Sequence, residues 1–254
     1  MKKKYSVLTY NLSNYEIIHE IPNHAINDEI DYVYITDDHS IKSDTWRVIY
    51  VDNLKGSIFD KCYQIRFFPW KYVNTDIIMR IDGSMQITND IMPLFDYFIN
   101  GKYDAAVMIH PDRNIIIHEY ETWCKGRFYP ISQANKCLNY LVNVLNYDIV
   151  NYKGLYQGNF VIQKNDNFNN AWNLVSYDIL KNLAEKPDTI ERIDQTITSA
   201  ILNKVFSYKN IMPVSSSIMK GKYFYWCYHK SNYPINVCED YVTYMFNKQV
   251  NAFK

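Results

Sequence analysis

The sequence predicts an α/β fold, with a mainly parallel central sheet flanked by helices on both faces. Short apolar runs of strand length alternate with longer stretches of helical periodicity along the first half of the chain, the pattern of strands joined by crossover helices. Several of the apolar runs end in a polar or acidic residue, at Asn11, Asp37, Asp52 and Asp82. No internal repeat or low-complexity linker divides the 254 residues. One domain spanning 1–254, with a large core, is therefore expected.

Residues 5–10 read as the first strand and 32–36 as the second, which Asp37-Asp38 closes. Residues 46–51 read as a third, ending in Asp52. Residues 58–68 have helical periodicity, with Ile58, Cys62, Ile65 and Phe68 on one face, and Pro69 ends the helix. Residues 77–81 read as a buried strand. A helix is expected over 91–100, with Met92, Phe95, Phe98 and Ile99 on its apolar side, then a strand over 103–109. Residues 132–145 read as a helix with Leu138, Leu141, Val142 and Leu145 on one face. A strand over 158–162 and helices over 168–183 and 190–205 follow, and residues 224–232 are aromatic and then polar.

Lys plus Arg equals Asp plus Glu at 27 each, so no excess of positive charge argues for a nucleic-acid groove. The basic start Met1-Lys2-Lys3-Lys4 runs into polar 11–14 without the apolar stretch of a secretory signal. No run reaches the length needed to span a bilayer. A soluble, cytoplasmic protein without a transmembrane segment is expected. The five cysteines, Cys62, Cys124, Cys137, Cys227 and Cys238, show no CxxC pairing, which fits structural thiols in a reducing compartment. The 24 tyrosines accompany abundant Asn, Ile and Lys throughout, a compositional bias that carries no functional weight.

The most informative stretch is Ile77-Ile78-Met79-Arg80-Ile81-Asp82-Gly83-Ser84. Asp82 falls where the buried strand meets solvent, and open α/β sheets bind ligands at that edge. A carboxylate, a flexible glycine and a hydroxyl in that place can meet a divalent cation carrying a diphosphate. Asp-Gly is also a common turn pair, and strand alternation could set Arg80 on one face with Asp82, simply to pair with it. His110-Pro111-Asp112-Arg113 follows another buried strand, and Pro111 stiffens that loop. If the Ile115-Ile116-Ile117 segment is extended, Glu119 and Glu121 share one face beyond it. Asp194 and Gln195 open the early turns of a helix, where an acid also suits the helix dipole.

Taken together, these pieces resemble a family of GT-A-type glycosyltransferase-like proteins found in bacterial polysaccharide loci and, as longer relatives, in plant cell-wall and mucilage synthesis. The matching residues are Ile81-Asp82-Gly83-Ser84 with Ile87, His110-Pro111 and Arg113 with Glu119, Gly158-Asn159, Asp194-Gln195, and His229 with Lys230. The resemblance implies a GT-A-like single domain, with a nucleotide-binding half over 1–100 and an acceptor-side half over 101–254. It implies transfer of a sugar from a nucleotide-sugar donor to a glycan or lipid-linked acceptor in surface polysaccharide synthesis, with peripheral membrane association compatible with such an acceptor. On the donor side it implies Thr9, Tyr10 and Asn11 near the nucleobase, Asp38 near the ribose or base, Lys61 and Arg66 on the helix before the motif, Asp82, and Lys230 beside the diphosphate. On the acceptor side it implies His110, Arg113, Glu119, Gly158, Asn159 and Gln195. Asp194 would be the catalytic carboxylate, a base in an inverting transfer or an orienting group in a retaining one.

The implied metal is Mn²⁺ or Mg²⁺, held by Asp82, Ser84 and a late histidine, His229. The family's motif is Asp-x-Asp, and here Ser84 stands at the second acid. Either Ser84 ligates directly or through water, another acid substitutes, or the chemistry proceeds without metal. That same departure keeps open an inactive nucleotide-sugar or carbohydrate-binding relative. A sugar-phosphate nucleotidyltransferase would carry a glycine-rich loop after the first strand, where Thr9-Tyr10-Asn11-Leu12-Ser13-Asn14 has none. No GxGxxG or P-loop follows any strand, and no pair of acids stands out as a hydrolase dyad.

Overall fold

A computed structural model describes residues 3–110, 113, 115–126, 131–151, 154–183, 194–205 and 210–227. The apolar runs pair into strands β1 (Tyr5–Asn11), β2 (Ile30–Thr36), β3 (Arg47–Tyr50), β4 (Ile77–Ile81) and β6 (Ala105–Ile109), with a short β5 (Met85–Ile87) between the last two. Later come β7 (Tyr156–Lys164), β8 (Ile211–Val214) and β9 (Phe224–Trp226). Seven of them form one sheet in the order β3-β2-β1-β4-β7-β6-β8. β1, β2, β3 and β4 are mutually parallel, as are β6 and β8, and β7 runs antiparallel to both β4 and β6. Since β7 reverses against both neighbours, β6 and β8 run with β1 to β4, and six of the seven strands share one direction. This is the α/β, mainly parallel architecture that the sequence predicts.

Alternation along the strands divides the core. Tyr5, Val7, Met79 and Ile81 face one side, where they meet α2 (Met92–Asn100) through Phe95 and Phe98, both 0% exposed. Leu8, Ile78 and Ile35 face the other side, under α1 (Ile58–Phe67). There Tyr63 and Phe67 of α1 also join Trp172 of α5 (Asn167–Leu183) and Ile197 of α6 (Asp194–Ala200). Helices thus cover both faces. Each fully buried Phe or Leu contributes about 1.5–3 kcal/mol relative to exposure.

Local chemistry fixes the helix that matters most for the cleft. Ser57 opens α1 by accepting from the Asp60 N–H while Asp60 accepts from the Ser57 N–H at 2.8 Å, two otherwise unsatisfied donors answered at once. The helix ends at Phe67, before Pro69.

Two expectations change. Ile115-Ile116-Ile117 does not continue as an extended segment, because Ile116 opens helix α3 (Ile116–Gly126). Ile116 is 1% exposed and packs in the cluster of Ala134 and Cys137 from α4 (Ile131–Asn139), so tertiary burial outweighs the strand propensity of a β-branched run. Glu119 and Glu121 therefore do not share a face: on a helix they are about 200° apart, and Glu119 is buried while Glu121 is exposed. The helix expected over 132–145 also divides, with α4 passing into a π-helical turn at Tyr140–Val144. A second π-helical turn, Ile201–Val205, follows α6.

Candidate functional site

The carboxyl ends of the parallel strands and the amino-terminal end of the reversed β7 meet at one edge of the sheet. There a cleft of about 450 Å³ opens. Of the residues singled out from the sequence, it is lined by Tyr10, Asn11, Arg66, Asp82, Ser84, His110, Arg113, Glu119, Gly158, Asn159, Asp194 and Gln195. Thr9, Asp38 and Lys61 are not among its lining residues. His229 and Lys230 lie outside the described residues.

Arg66 and Asp194 are the electrostatic centre. They come from α1 and α6, 128 positions apart, and form an ion pair whose side chains are 16% and 13% exposed. Arg66 Nη1 donates to Asp194 Oδ2, and Tyr63 Oη donates to Asp194 Oδ1 at 3.0 Å. Both carboxylate oxygens are thus engaged. Phe59, Tyr63 and Arg66 follow the i, i+4, i+7 stripe of α1 that lines the cleft. Lys61 is five residues from Arg66, about 140° around the helix, which is why it misses the cleft. Burial works against the Arg66 charge, but Tyr10, Asp194, Tyr63 and Asp82 outweigh it and raise the guanidinium's pKa. Burial also pushes the Tyr10 phenol up.

Gly158 explains how the pair fits. A Cβ there would sit 3.3 Å from both Arg66 Nη1 and Asp194 Oδ2, so the glycine admits the ion pair against the strand. β7 also bulges against β6: Val107 pairs with Val161, but the next residue, Met108, pairs with Gln157. The bulge leaves Gly158 and Asn159 out of the β6 ladder and beside the cleft, a frequent use of bulges near sites. Asn159 O accepts from the Asp82 N–H at 2.9 Å, which ties the bulge to the end of β4.

Asp82 closes β4, and Met85 N–H donates to its carbonyl at 2.9 Å, making a tight turn. Gly83 is required in that turn, because a Cβ would lie 2.9 Å from Tyr10 O and 3.2 Å from Glu16 Cγ. Ser84 is 1% exposed and its Oγ accepts from Trp226 Nε1 at 2.9 Å. The Cys227 N–H donates to Ser84 O at 2.8 Å, so the pairing of β5 with β9 delivers the end of the described chain beside this turn. Arg80 does not pair with Asp82. It is 7% exposed on the opposite side of Arg66 from the cleft, where burial first, and Arg66 second, push its pKa down to about 9.

These groups test the expected cation. Among the described residues no three His, Cys, Asp or Glu side chains cluster closely enough to hold a metal ion. Asp82 feels the Arg66 guanidinium, and the Ser84 oxygen is committed to Trp226. Of the expected ligand set, Asp82 supplies the one carboxylate among the described residues, and His229 lies outside them, whereas Mn²⁺ or Mg²⁺ wants several ligands.

Asn11 and its loop take a supporting role. Asn11 is 2% exposed; its Nδ2 donates to Glu16 O at 2.6 Å and its Oδ1 accepts from Glu16 N–H at 2.8 Å. It thereby folds residues 12–16 over the cleft, with Ser13 and Asn14 at positive φ of 55° and 52°. Thr9 is 3% exposed within β1. Asp38 accepts from the Ser40 N–H at 2.8 Å and Ser40 Oγ at 2.6 Å, closing its own loop, and these bonds lower its pKa. Asp37 caps Ser13 N–H at 2.7 Å, and Asp52 pairs with exposed His39 at 2.8 Å. Of the four polar strand ends, Asn11 and Asp82 reach the cleft.

On the far side, Arg113 folds over His110. Its guanidinium Nη2 lies 2.6 Å from Nε2, and its backbone N–H lies 3.1 Å from Nδ1. A neutral imidazole accepts at only one of these. Burial first, and Arg113 second, push the His110 pKa down to about 3, so the ring is neutral at ordinary pH. Arg113 Nε meets Glu119 Oε2 at 2.9 Å, an ion pair with the N–H not aimed at the oxygen. Sequence reasoning missed Glu16, Tyr63, Gln157 and Trp226, which also line the cleft. Tyr63 was legible as the i−3 neighbour of Arg66; the other three depend on loop closure, the bulge and the β5–β9 pairing.

No protein-family model matches the chain, and no curated protein matches it. Among solved structures, the chain is similar to mouse xyloside xylosyltransferase 1 in its apo form, at 9% identity over 83% of this chain and 84% of that one, with a TM-score of 0.43. It is also similar to the glycosyltransferase GlyE of Streptococcus pneumoniae TIGR4, at 15% identity over 98% of this chain and 50% of that one, with a TM-score of 0.43. The chain thus spans half the length of GlyE. Likeness at this level carries no argument about activity.

Proposed function

We propose that the chain is a GT-A-like glycosyltransferase, moving a sugar from a nucleotide-diphosphate donor to a glycan or lipid-linked acceptor in surface polysaccharide synthesis. The observation that supports it is the meeting of Asp82, Arg66 and Asp194 in one cleft at the carboxyl edge of the parallel strands. Ligands of open α/β sheets bind at that edge, and arginine suits bidentate contact with phosphate. Residues 1–100 form the donor side, with Tyr10, Arg66 and Asp82; residues 101–254 form the acceptor side, with Arg113, Asn159 and Gln195. Among the described residues no helix is long and apolar enough to cross a membrane, and we place the enzyme in the cytoplasm, meeting a lipid-linked acceptor at the membrane surface.

In the transfer, the acceptor oxygen attacks the anomeric carbon and the bond from that carbon to the diphosphate oxygen breaks. The electron pair leaves on the diphosphate, and the acceptor proton passes to a base. Arg66 is the cation on the donor side that would receive the diphosphate. Asp194 has one oxygen on Arg66 and the other on Tyr63, so it gains a free oxygen when Arg66 turns toward phosphate. Donor binding would then be the event that readies the base.

The second reading is a nucleotide-sugar-binding relative without activity. Ser84 in place of the acid and the engaged Asp194 both favour it. Melting temperature measured with UDP and other nucleoside diphosphates tests for the ligand, since a ligand that binds only the native state raises it. The transferase reading expects Asp82→Ala to abolish donor hydrolysis and transfer with melting unchanged. Wild-type turnover in that variant counts against the site. Stabilisation by nucleotide without turnover toward any acceptor selects the binding relative.

A further inference from the structure

The Arg66–Asp194 pair separates the cleft from a second, smaller cavity. Arg66, Asp194, Gln157 and Gly158 line both spaces, whereas Arg80 lines only the smaller one, of about 20 Å³. Its remaining walls are largely apolar, with Val107, Val161 and Trp172 among them. Arg80 projects from β4 between these walls because Val161 is its cross-strand partner on β7. Arg80 is 93% buried by its 7% exposure, and among the described residues its Nε–H has no hydrogen-bond acceptor.

A charged group's N–H buried without an acceptor is costly. Asp194 attracts it through space, yet the hydrogen bonds that the Asp194 oxygens accept come from Arg66 and Tyr63. Asp82, the other acid that acts on Arg66, lines the cleft and not this cavity. Around the cavity two guanidiniums therefore face one carboxylate, a net charge of +1.

We propose that this cavity is an anion site that takes one chloride-sized ion between Arg66 and Arg80. A space of about 20 Å³ admits a single water-sized body and is too small for a phosphate group. A monovalent anion brings the local charge to zero and gives the Arg80 N–H groups an acceptor. Apolar walls lower the local dielectric and strengthen that attraction. The Gln157 side chain, whose Oε1 is buried without a donor, presents its amide N–H to the ion once the two amide atoms exchange places. The ion holds Arg66 from behind, so that the guanidinium stays at the cleft wall rather than turning inward. The site is independent of whether the cleft transfers sugars.

The test is the melting temperature of the whole chain as chloride replaces gluconate at constant sodium and constant ionic strength. A site of millimolar affinity raises it saturably, by about 3 °C or more. Arg80→Met should abolish that response, and Arg80→Lys, which keeps the charge, should retain part of it. An anomalous peak at Arg80 in bromide-soaked wild-type crystals supports the site without any variant. A wild-type melting curve indifferent to chloride overturns it, and assigns the cavity to a water bridging Arg80 Nε and Gln157 Oε1. A chloride response unchanged in Arg80→Met also overturns it, because the ion would then sit elsewhere.

Discussion

Replacing Asp194 by alanine should destabilise this protein more than replacing the residue it pairs with. Removing one partner of a buried ion pair costs about 3–5 kcal/mol, because the other charge stays buried and unanswered. The two side chains are 16% and 13% exposed, so water screens the survivor a little and the lower end, about 3 kcal/mol, applies. Asp194→Ala leaves Arg66 and Arg80 facing each other with no carboxylate between them. Arg66→Met leaves Asp194 with the Tyr63 hydroxyl and with Arg80 still within electrostatic reach, and its loss should stay below about 2 kcal/mol. For a chain near this size each kcal/mol moves Tm by about 2–4 °C, so Asp194→Ala should melt about 6–12 °C below wild type. Urea unfolding followed by far-UV circular dichroism measures both variants, with the slope m checked for constancy. Equal losses in the two variants, or an Asp194→Ala protein within about 1 kcal/mol of wild type, would refute the placement of this pair as the electrostatic centre.

Gly158→Val should weaken UDP binding about tenfold or more, since a Cβ already lies 3.3 Å from both members of the ion pair and a branched side chain must push them apart; titration calorimetry reads this, and unchanged affinity contradicts it. His110 sets a pH dependence. Its folded pKa of about 3 lies below the ordinary value of 6.5, so the unfolded chain binds the proton more readily; the stability due to the neutral ring is full above about pH 6.5 and is lost as pH falls from there toward 3. Unfolding free energy measured from pH 7 to pH 4 should therefore fall more steeply in wild type than in His110→Asn, and matching slopes would remove His110 as the cause. Cys62 lines the cleft while Cys137 and Cys227 are buried, so peptide mapping after iodoacetamide should find Cys62 modified before those two, and UDP should slow it; modification indifferent to UDP would place the nucleotide elsewhere.

Where side-chain periodicity alone decides the structure, the sequence was readable to within a residue or two. The run 77–81 is the strand β4 itself, and 58–68 differs from α1 only at its last residue. Arg66 and Asp82 were legible because each sits at a fixed offset within its own element. Strand direction was not legible: 158–162 reads equally well either way, and β7 proves antiparallel. The segment at 115–117 failed for a related reason, since three isoleucines satisfy strand propensity while burial against α4 starts a helix at Ile116. Asp38 shows the limit for polar ends. An acid after a strand serves a ligand or its own loop, and Ser40 two residues on settled it for the loop.

The reversal of β7 is also what completes the candidate site. A parallel strand between β4 and β6 would bring its carboxyl end to the cleft, and the helix that follows it would start there. Running backwards, β7 brings its beginning to that edge instead, so the bulge at Gln157 to Phe160 opens beside Asp82. The bulge leaves Gly158 unpaired with β6, the missing side chain admits the Arg66–Asp194 pair, and Asn159 holds the Asp82 N–H through its carbonyl. Three residues distant in sequence are thus registered against one irregularity in one strand. A regular ladder would pair Met108 with Phe160 rather than Gln157, so restoring it takes the deletion of three residues, 158–160; that odd number turns the neighbouring side chains to the opposite face and should separate Asp82 from the ion pair while leaving the six parallel strands in place.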